Sequence, residues 1–346
     1  MELPVTPGFT TNRLKLGRQT LDVGSRRVLE RVEMANVISS YTGAYWQATT
    51  ANGSELHALV FVPTARAPAD RNALERNDLS GDEEQWGRRA WGLHARAANA
   101  LGTRVPNVWA EAYVYGLQER DTASVPTPNR DYIQPGVRLF RAPRVGQFDF
   151  DIETALRTGT RRATSAQSDT RDLHVDAHFL AASLSYTFDA PLRPRVTIHH
   201  FFASGDQDPT DANYNQFERL FGSRRGDLGN TGIFGPLTTA NISAPGARLE
   251  VRPNNQMDFR FTYKAASLAQ ARDAWIDAGL QDATGQSGRF IDHTVEFRGR
   301  FQLRPDSLSL EIGSSALFLG RFAREAPNAP RTGDTLFSYI QINQSF

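Results

Sequence analysis

Two adjacent histidines, His199 and His200, precede Ser204 and Asp206, the residue types of a base, a nucleophile and an orienting acid. Their spacing forbids that chemistry. Neighbouring residues on an extended strand point to opposite faces, so the two imidazoles cannot serve one triad. Three acids follow in Asp206-Gln-Asp-Pro-Thr-Asp211, spaced to offer hard oxygens to calcium. The full twelve-residue calcium loop is absent and Pro209 interrupts the run, so Asp206, Asp208 and Asp211 read as turn-initiating acids. The chain has no cysteine, which excludes disulfides, thiolate metal sites and cysteine nucleophiles. Acids elsewhere are too many and too evenly spread to nominate the carboxylate pair of a glycoside hydrolase. No catalytic residue, metal site or cofactor is expected.

The chemistry that remains is recognition of charge. Among 39 basic residues only Lys15 and Lys264 are lysines; the rest are arginines. A GC-rich genome produces such a bias without any function behind it. The functional reading is that a planar guanidinium grips a carboxylate bidentately, where an ammonium offers a point charge. The formal net charge of +1 argues against nucleic-acid binding by bulk charge. With 40% apolar and 10% aromatic residues the chain folds rather than staying disordered. At 346 residues it is long for one ordinary domain, although large β-barrels are an exception. Its longest apolar runs, 58–62 and 179–184, fall far short of the roughly 20 residues of a membrane-spanning helix. The first residues, Met-Glu-Leu-Pro-Val-Thr-Pro, lack the basic and apolar regions of a secretory signal.

Helical periodicity is nearly absent, and alternation of period two takes its place. In 290–304 Ile291, His293, Val295, Phe297, Gly299, Phe301 and Leu303 alternate with Asp292, Thr294, Glu296, Arg298, Arg300 and Gln302. The stretches 307–318, 256–264 and 148–157 repeat the pattern. Fourteen such segments are expected at 12–23, 41–50, 55–62, 88–97, 107–117, 132–141, 147–158, 173–187, 193–205, 240–251, 255–265, 290–303, 307–319 and 336–346. Many reach ten residues or more, enough to cross a bilayer when tilted. The alternation slips near Phe179 and Leu180, which reads as a bulge.

Connections between the segments sort by parity. Short ones at 304–306, 252–254, 188–192, 142–146, 51–54 and 98–106 alternate with long ones at 320–334, 266–289, 206–238, 159–172, 118–130, 63–85 and 24–40. Short turns at one end and long polar loops at the other mark a transmembrane β-barrel. The expectation is an all-β, antiparallel transmembrane barrel of about 14 strands, one domain over 1–346. The last segment ends on Phe346, with Ile342, Ile340 and Leu336 at matching parity and Gln344 as an exception.

If apolar residues face lipid, the opposite parity lines the lumen. That set includes Arg13, Lys15, Arg88, Arg96, Arg138, Arg157, Arg195, Arg248, Arg260, Lys264, Arg298 and Arg300, with Asp149, Asp151, Glu153, Glu250, Asp258, Glu296 and Glu311. An arginine facing lipid near the midplane would cost about 2–4 kcal/mol, so inward placement is close to obligatory. Two readings stay open. The charges pair across strands and fill a wet lumen, or the arginines form a conduit for an anionic solute whose progress the acids keep from stalling.

The stretch Phe202-Ala-Ser-Gly-Asp-Gln-Asp-Pro-Thr-Asp211 resembles the alginate export porins, as does the aromatic passage Asn215-Gln-Phe-Glu-Arg-Leu-Phe221 followed by Gly235 and a strand around 241–249. Leu14-Lys-Leu-Gly-Arg-Gln-Thr-Leu-Asp-Val-Gly24 is similar to that family's Gly-Arg-Gln strand, followed by Arg26 and Arg27, Asn36-Val37 and Tyr41-Thr-Gly43-Ala. Asp273-Ala-Trp275 is a third match. The positions carried over by motif are Gly17, Arg18, Gln19, Ser204, Gly205 and Asp206. The resemblance implies a monomeric, eighteen-stranded outer-membrane barrel that exports an anionic exopolysaccharide through a basic lumen. Against eighteen strands, the fourteen counted here imply that a signal peptide and about four strands precede Met1; closure with fourteen stays open, the number being even.

The expected function is a passive outer-membrane conduit for a polyuronate-like polymer, with outer-membrane lipid and a periplasmic secretion partner as its surroundings and no nucleic acid. A general or small-solute uptake porin is the alternative in the same class. A soluble all-β carbohydrate-binding protein is the alternative outside it.

Overall fold

A computed structural model describes residues 1–346 apart from Leu3, Val5, Thr6, 33–37, 122–124, 223–226, 230–233 and Phe346. The Asn36-Val37 match and the terminal Phe346 lie outside the described residues. The chain forms strands β1 (Phe9–Gln19), β2 (Tyr41–Thr50), β3 (Glu55–Ala65), β4 (Glu83–Glu84), β5 (Arg88–Ala97), β6 (Val108–Glu119), β7 (Asp131–Arg141) and β8 (Phe148–Arg162). It continues with β9 (Asp172–Thr187), β10 (Arg195–Ala203), β11 (Asn213–Tyr214), β12 (Ile242–Asn254), β13 (Met257–Ser267), β14 (Phe290–Arg304), β15 (Leu308–Leu319) and β16 (Thr335–Gln344). One ladder runs from β1 to β16, each strand antiparallel to its sequence neighbour, with the two-residue β4 and β11 off the path. Fourteen strands carry the wall of an all-β transmembrane barrel.

Alternation sets the two faces. Val60, Leu156, Val196, Ile198, Phe261 and Val295 stand on the outer face between 44% and 60% exposed. Such a belt of bare apolar side chains belongs in hydrocarbon, not in water. Their neighbours Arg157, Thr197, Thr262 and Glu296 are buried inside.

Most strand ends shift by a few residues from the sequence expectation, and two of these shifts and one missing bulge have a physical reason. β1 ends at Gln19, because the apolar Leu21 and Val23 leave the wall and bury themselves inside the barrel. β8 runs on to Arg162, through Gly159, whose φ of 148° lets the strand pass where a Cβ would overlap the Asp131 carbonyl. The bulge expected near Phe179 is absent: β9 keeps unbroken register with both β8 and β10. What changes along β9 is polarity. Leu173, Val175, Ala177 and Phe179 point inward and are buried, while His174, Asp176 and His178 point outward; further along, Leu184 faces out and Ser185 faces in. The inward apolar half meets a hydrophobic core in the long-loop half of the barrel, with Leu29, Phe217, Leu228 and Leu237 from the connections in one cluster with Phe179 and Phe201 from the wall.

Candidate functional site

The lumen is built from the wall and from two connections that fold into it. The first, 20–31, leaves β1 and bends inward at Gly24, whose Cα lies so close that a Cβ would stand 3.3 Å from Glu111 Oε2. The second is the 204–241 connection between β10 and β12. The two zip together by backbone bonds: Glu30 N–H donates to the Phe221 carbonyl (3.0 Å) and Phe221 N–H to the Val28 carbonyl (3.2 Å). Arg27 then ties the pair to the wall. Its guanidinium donates to Glu153 Oε2 (2.7 Å) on β8 and to both Asp227 oxygens (2.9 and 3.1 Å), with Asp151 at 3.4 Å. Burial disfavours its charge, but Asp227, Glu153 and Asp151 outweigh that and hold it far up the guanidinium range.

Beneath these straps, toward the short turns, lies a cavity of about 710 Å³. Nine arginines border it (Arg26, Arg27, Arg138, Arg141, Arg195, Arg248, Arg260, Arg298 and Arg300) against four acids, Glu30, Asp149, Asp151 and Asp227. A cavity at the short turns shares Arg260, Arg298 and Arg300 with it and adds Arg193 and Arg252. Most of these guanidiniums also hold a carboxylate of the wall. Arg195 bridges Asp149 and Glu250, Arg260 binds Glu250 (2.9 Å), Arg298 binds Asp258 (2.6 Å), Arg300 binds Glu311 and Arg138 binds Asp151 (2.8 Å). Such pairs keep the interior solvated and ordered while leaving an excess of positive charge.

The other residues expected in the lumen divide by place. Lys15 and Arg96 border a separate cavity of about 410 Å³ on the β1–β6 side, with His57, His94 and Glu111. Arg13 reaches the exposed Glu2 at 3.6 Å. Lys264 is sealed against Glu296 (2.6 Å), the partly exposed Arg88 pairs with Glu119 (2.9 Å), and Arg157 lies behind Tyr132 and Phe217. Alternation assigns no lumen position to Arg26, Arg27, Asp227 or Glu218, since nothing in it marks a loop that folds inward. The Arg26-Arg27 doublet ahead of Val28-Leu29 was the one available hint. His199 shares the parity of the buried Thr197 and Phe201, while His200 shares that of the exposed Ile198 and meets Ser243 Oγ at 3.0 Å, so the two are on opposite faces as the spacing demands.

Of the motif positions, Ser204, Gly205 and Asp206 build a knot at the long-loop end rather than lining the cavity. Ser204 N–H donates to the His178 carbonyl and its hydroxyl to the Asn215 carbonyl (2.7 Å). Asp206 N–H donates to Asp273 Oδ2 (2.7 Å), and Gln216 Nε2 donates to both Asp273 oxygens at 2.8 Å. The fully buried Asn241 donates to the Gln270 and Ala274 carbonyls, each at 3.2 Å. Trp275 Nε1 donates to the Pro236 carbonyl (2.6 Å). Burial pushes both carboxyls, Asp206 and Asp273, above the ordinary aspartate range, and each is 5–6% exposed. Asp208 and Asp211 cap turns, accepting from Thr210 and Asn213 N–H. Gly17 adopts φ 99°, Arg18 lies on the outer face with Glu84 (2.8 Å), and Gln19 reaches the Gly43 carbonyl at 3.5 Å.

A family model described as alginate export matches residues 5–337. No curated protein matches the chain. Solved structures do. OccK2 (OpdF) of Pseudomonas aeruginosa in complex with glucuronate superposes with a TM-score of 0.59 at 13% identity, covering 100% of this chain and 80% of its own. The outer-membrane protein OprD of Pseudomonas aeruginosa gives 0.56 at 14%, over 96% and 74%. OccK11 (OpdR) of the same organism gives 0.54 at 13%, over 97% and 78%. These likenesses establish the outer-membrane barrel fold.

Proposed function

The chain belongs to the alginate export family, and on that premise we propose that this outer-membrane channel conducts an acidic polysaccharide along its arginines and catalyses no reaction. The observation that carries the reading is the position of Arg260, Arg298 and Arg300. They border both the interior cavity and the one at the short turns, so one basic strip joins the barrel's middle to that mouth. Each already shares a wall carboxylate. A uronate arriving there exchanges one carboxylate partner for another, which is favourable enough to enter and weak enough to leave. Arg138, Arg195 and Arg248 extend the strip upward. The barrel acts as a monomer, and a periplasmic partner delivers the polymer to the short-turn mouth.

The test is planar-bilayer conductance with oligouronates and neutral oligosaccharides of equal length. Anion-selective current blocked by the acidic oligomers alone supports the reading; equal block by both removes it. The straps crossing the lumen favour a second reading, a channel for small acidic solutes such as the glucuronate bound by OccK2. Block by monomeric uronates as strong as by oligomers would select that one.

A further inference from the structure

At the long-loop end, away from the cavity arginines, Arg130, Arg157 and Arg161 converge on Glu218, a residue of the folded-in 204–241 connection. Arg130 Nη1 donates to Glu218 Oε1 at 3.0 Å, Arg161 Nη1 lies 3.3 Å from Oε2 and Arg157 Nη1 lies 4.0 Å from Oε1. Arg130 also holds Glu119 through two bonds of 2.7 Å. The cluster therefore offers more donors than its two acids use. Arg157 Nη1 and Arg161 Nη1 are buried, and among the described residues each has only its ion-pair approach to Glu218 and no well-aligned hydrogen bond. A buried guanidinium with an idle N–H marks a place where a further oxygen is wanted.

The cluster is rigid and reachable at once. Arg157 is held flat between Tyr132 and Phe217, its guanidinium carbon 4.5 and 4.3 Å from their centroids, and Gln134 accepts from its other nitrogen at 2.6 Å. Arg161 lies over the Tyr214 ring at 3.9 Å. The arginine side chains are 1% and 8% exposed, whereas that of Glu218 is 23% exposed. Solvent thus reaches the acid while the bases are pre-ordered behind it. Burial would raise the Glu218 carboxyl, yet Arg130, Arg161 and Arg157 outweigh it and hold it below the usual glutamate range.

We propose that Arg130, Arg157 and Arg161 form a uronate-binding subsite at the long-loop mouth, and that Glu218 occupies it as a stand-in carboxylate until a sugar acid of the passing polymer displaces it. The displacement needs only a side-chain swing of Glu218, since Gln216 and Phe217 stay fixed in the knot and the core. The resting channel keeps these arginines partly neutralised, and the polymer meets a pre-built grip at the point where it clears the straps. The inference rests on the acidic-polysaccharide reading.

The test compares wild type with E218Q in planar bilayers, using a trigalacturonate as probe, a neutral trisaccharide as control, and heat-modifiable gel migration to verify folding. With the competing carboxylate gone, blocking events by trigalacturonate should lengthen on the order of tenfold, the size of one charge-assisted contact regained. Wild-type block with unchanged event lengths in E218Q overturns this subsite and leaves the conduit reading standing. Absence of block in both proteins overturns the conduit reading and this inference with it. Should E218Q fail to fold, R161Q replaces it. Shortened events there support the subsite, and unaltered events overturn it.

Discussion

Gly205 and Asn241 touch so closely that a methyl group on the glycine would overlap the Asn241 Oδ1 and stand 3.1 Å from Asp273 Oδ2. The contact joins the end of β10 to the start of β12 across the whole 204–241 connection. Gly205→Ala should therefore destabilise the knot by about 1–3 kcal/mol, the usual penalty of overpacking a filled site. Limited proteolysis would register it as faster nicking within 206–241, with the barrel band on gels unchanged. Equal nicking rates would show that the knot relaxes around the methyl.

Arg27 holds two straps and the wall together through Asp227, Glu153 and Asp151. Arg27→Ala leaves the buried Glu153 without that partner, a loss of about 3–5 kcal/mol for a buried pair. The straps should then part, and single-channel conductance should rise severalfold over wild type. A conductance equal to wild type would mean that the backbone zip at Leu29 and Phe221 suffices alone.

Replacing Arg260, Arg298 and Arg300 together with glutamine should lower the preference for chloride over potassium, measured as a reversal-potential shift across a salt gradient. It also frees Glu250, Asp258 and Glu311 from these partners, so a reversal toward cation preference is the expected limit. Unchanged selectivity would locate the discriminating charge elsewhere, in the strap residues.

Asp206 and Asp273 add a pH dependence of known sign. A carboxyl raised by burial stabilises the fold in its protonated form. That stability is present at acidic pH and is lost as pH climbs from the ordinary aspartate range, about 4, through the raised value. Nicking of the 268–289 connection should accelerate on going from acidic to neutral pH. Asp273→Asn should flatten that profile, and a D273N profile as steep as wild type would assign the dependence to another group.

The wall was legible in the sequence because membrane and water impose opposite demands on alternate residues. β2 and β5 match the expected segments at both ends, and all fourteen wall strands were anticipated. Alternation also assigns Arg260, Arg298 and Arg300 to the inner face, since an arginine facing lipid is costly, and all three border the interior cavity. The interior was not legible. Whether Arg27 and Glu218 fold in depends on contacts with residues more than 80 positions away, such as Glu153 and Arg130, and alternation carries no trace of such pairing. The apparent slip in β9 arose from the same source: apolar residues inside the barrel meet the folded-in core, so hydrophobicity changes sides while the geometry does not.

That change of sides on β9 also fixes how deep the molecule floats. Leu184 belongs in the acyl chains, and His174, Asp176 and His178 on the same outer face must stay above them. Sinking the barrel by one strand repeat would submerge an aspartate, at a cost of up to about 1 kcal/mol near the interface; lifting it by as much would strip oil-facing residues of their solvent. β9 is thus a waterline painted on the hull. With 15 and 16 residues in β8 and β9, the hull rises on that flank as a bulwark.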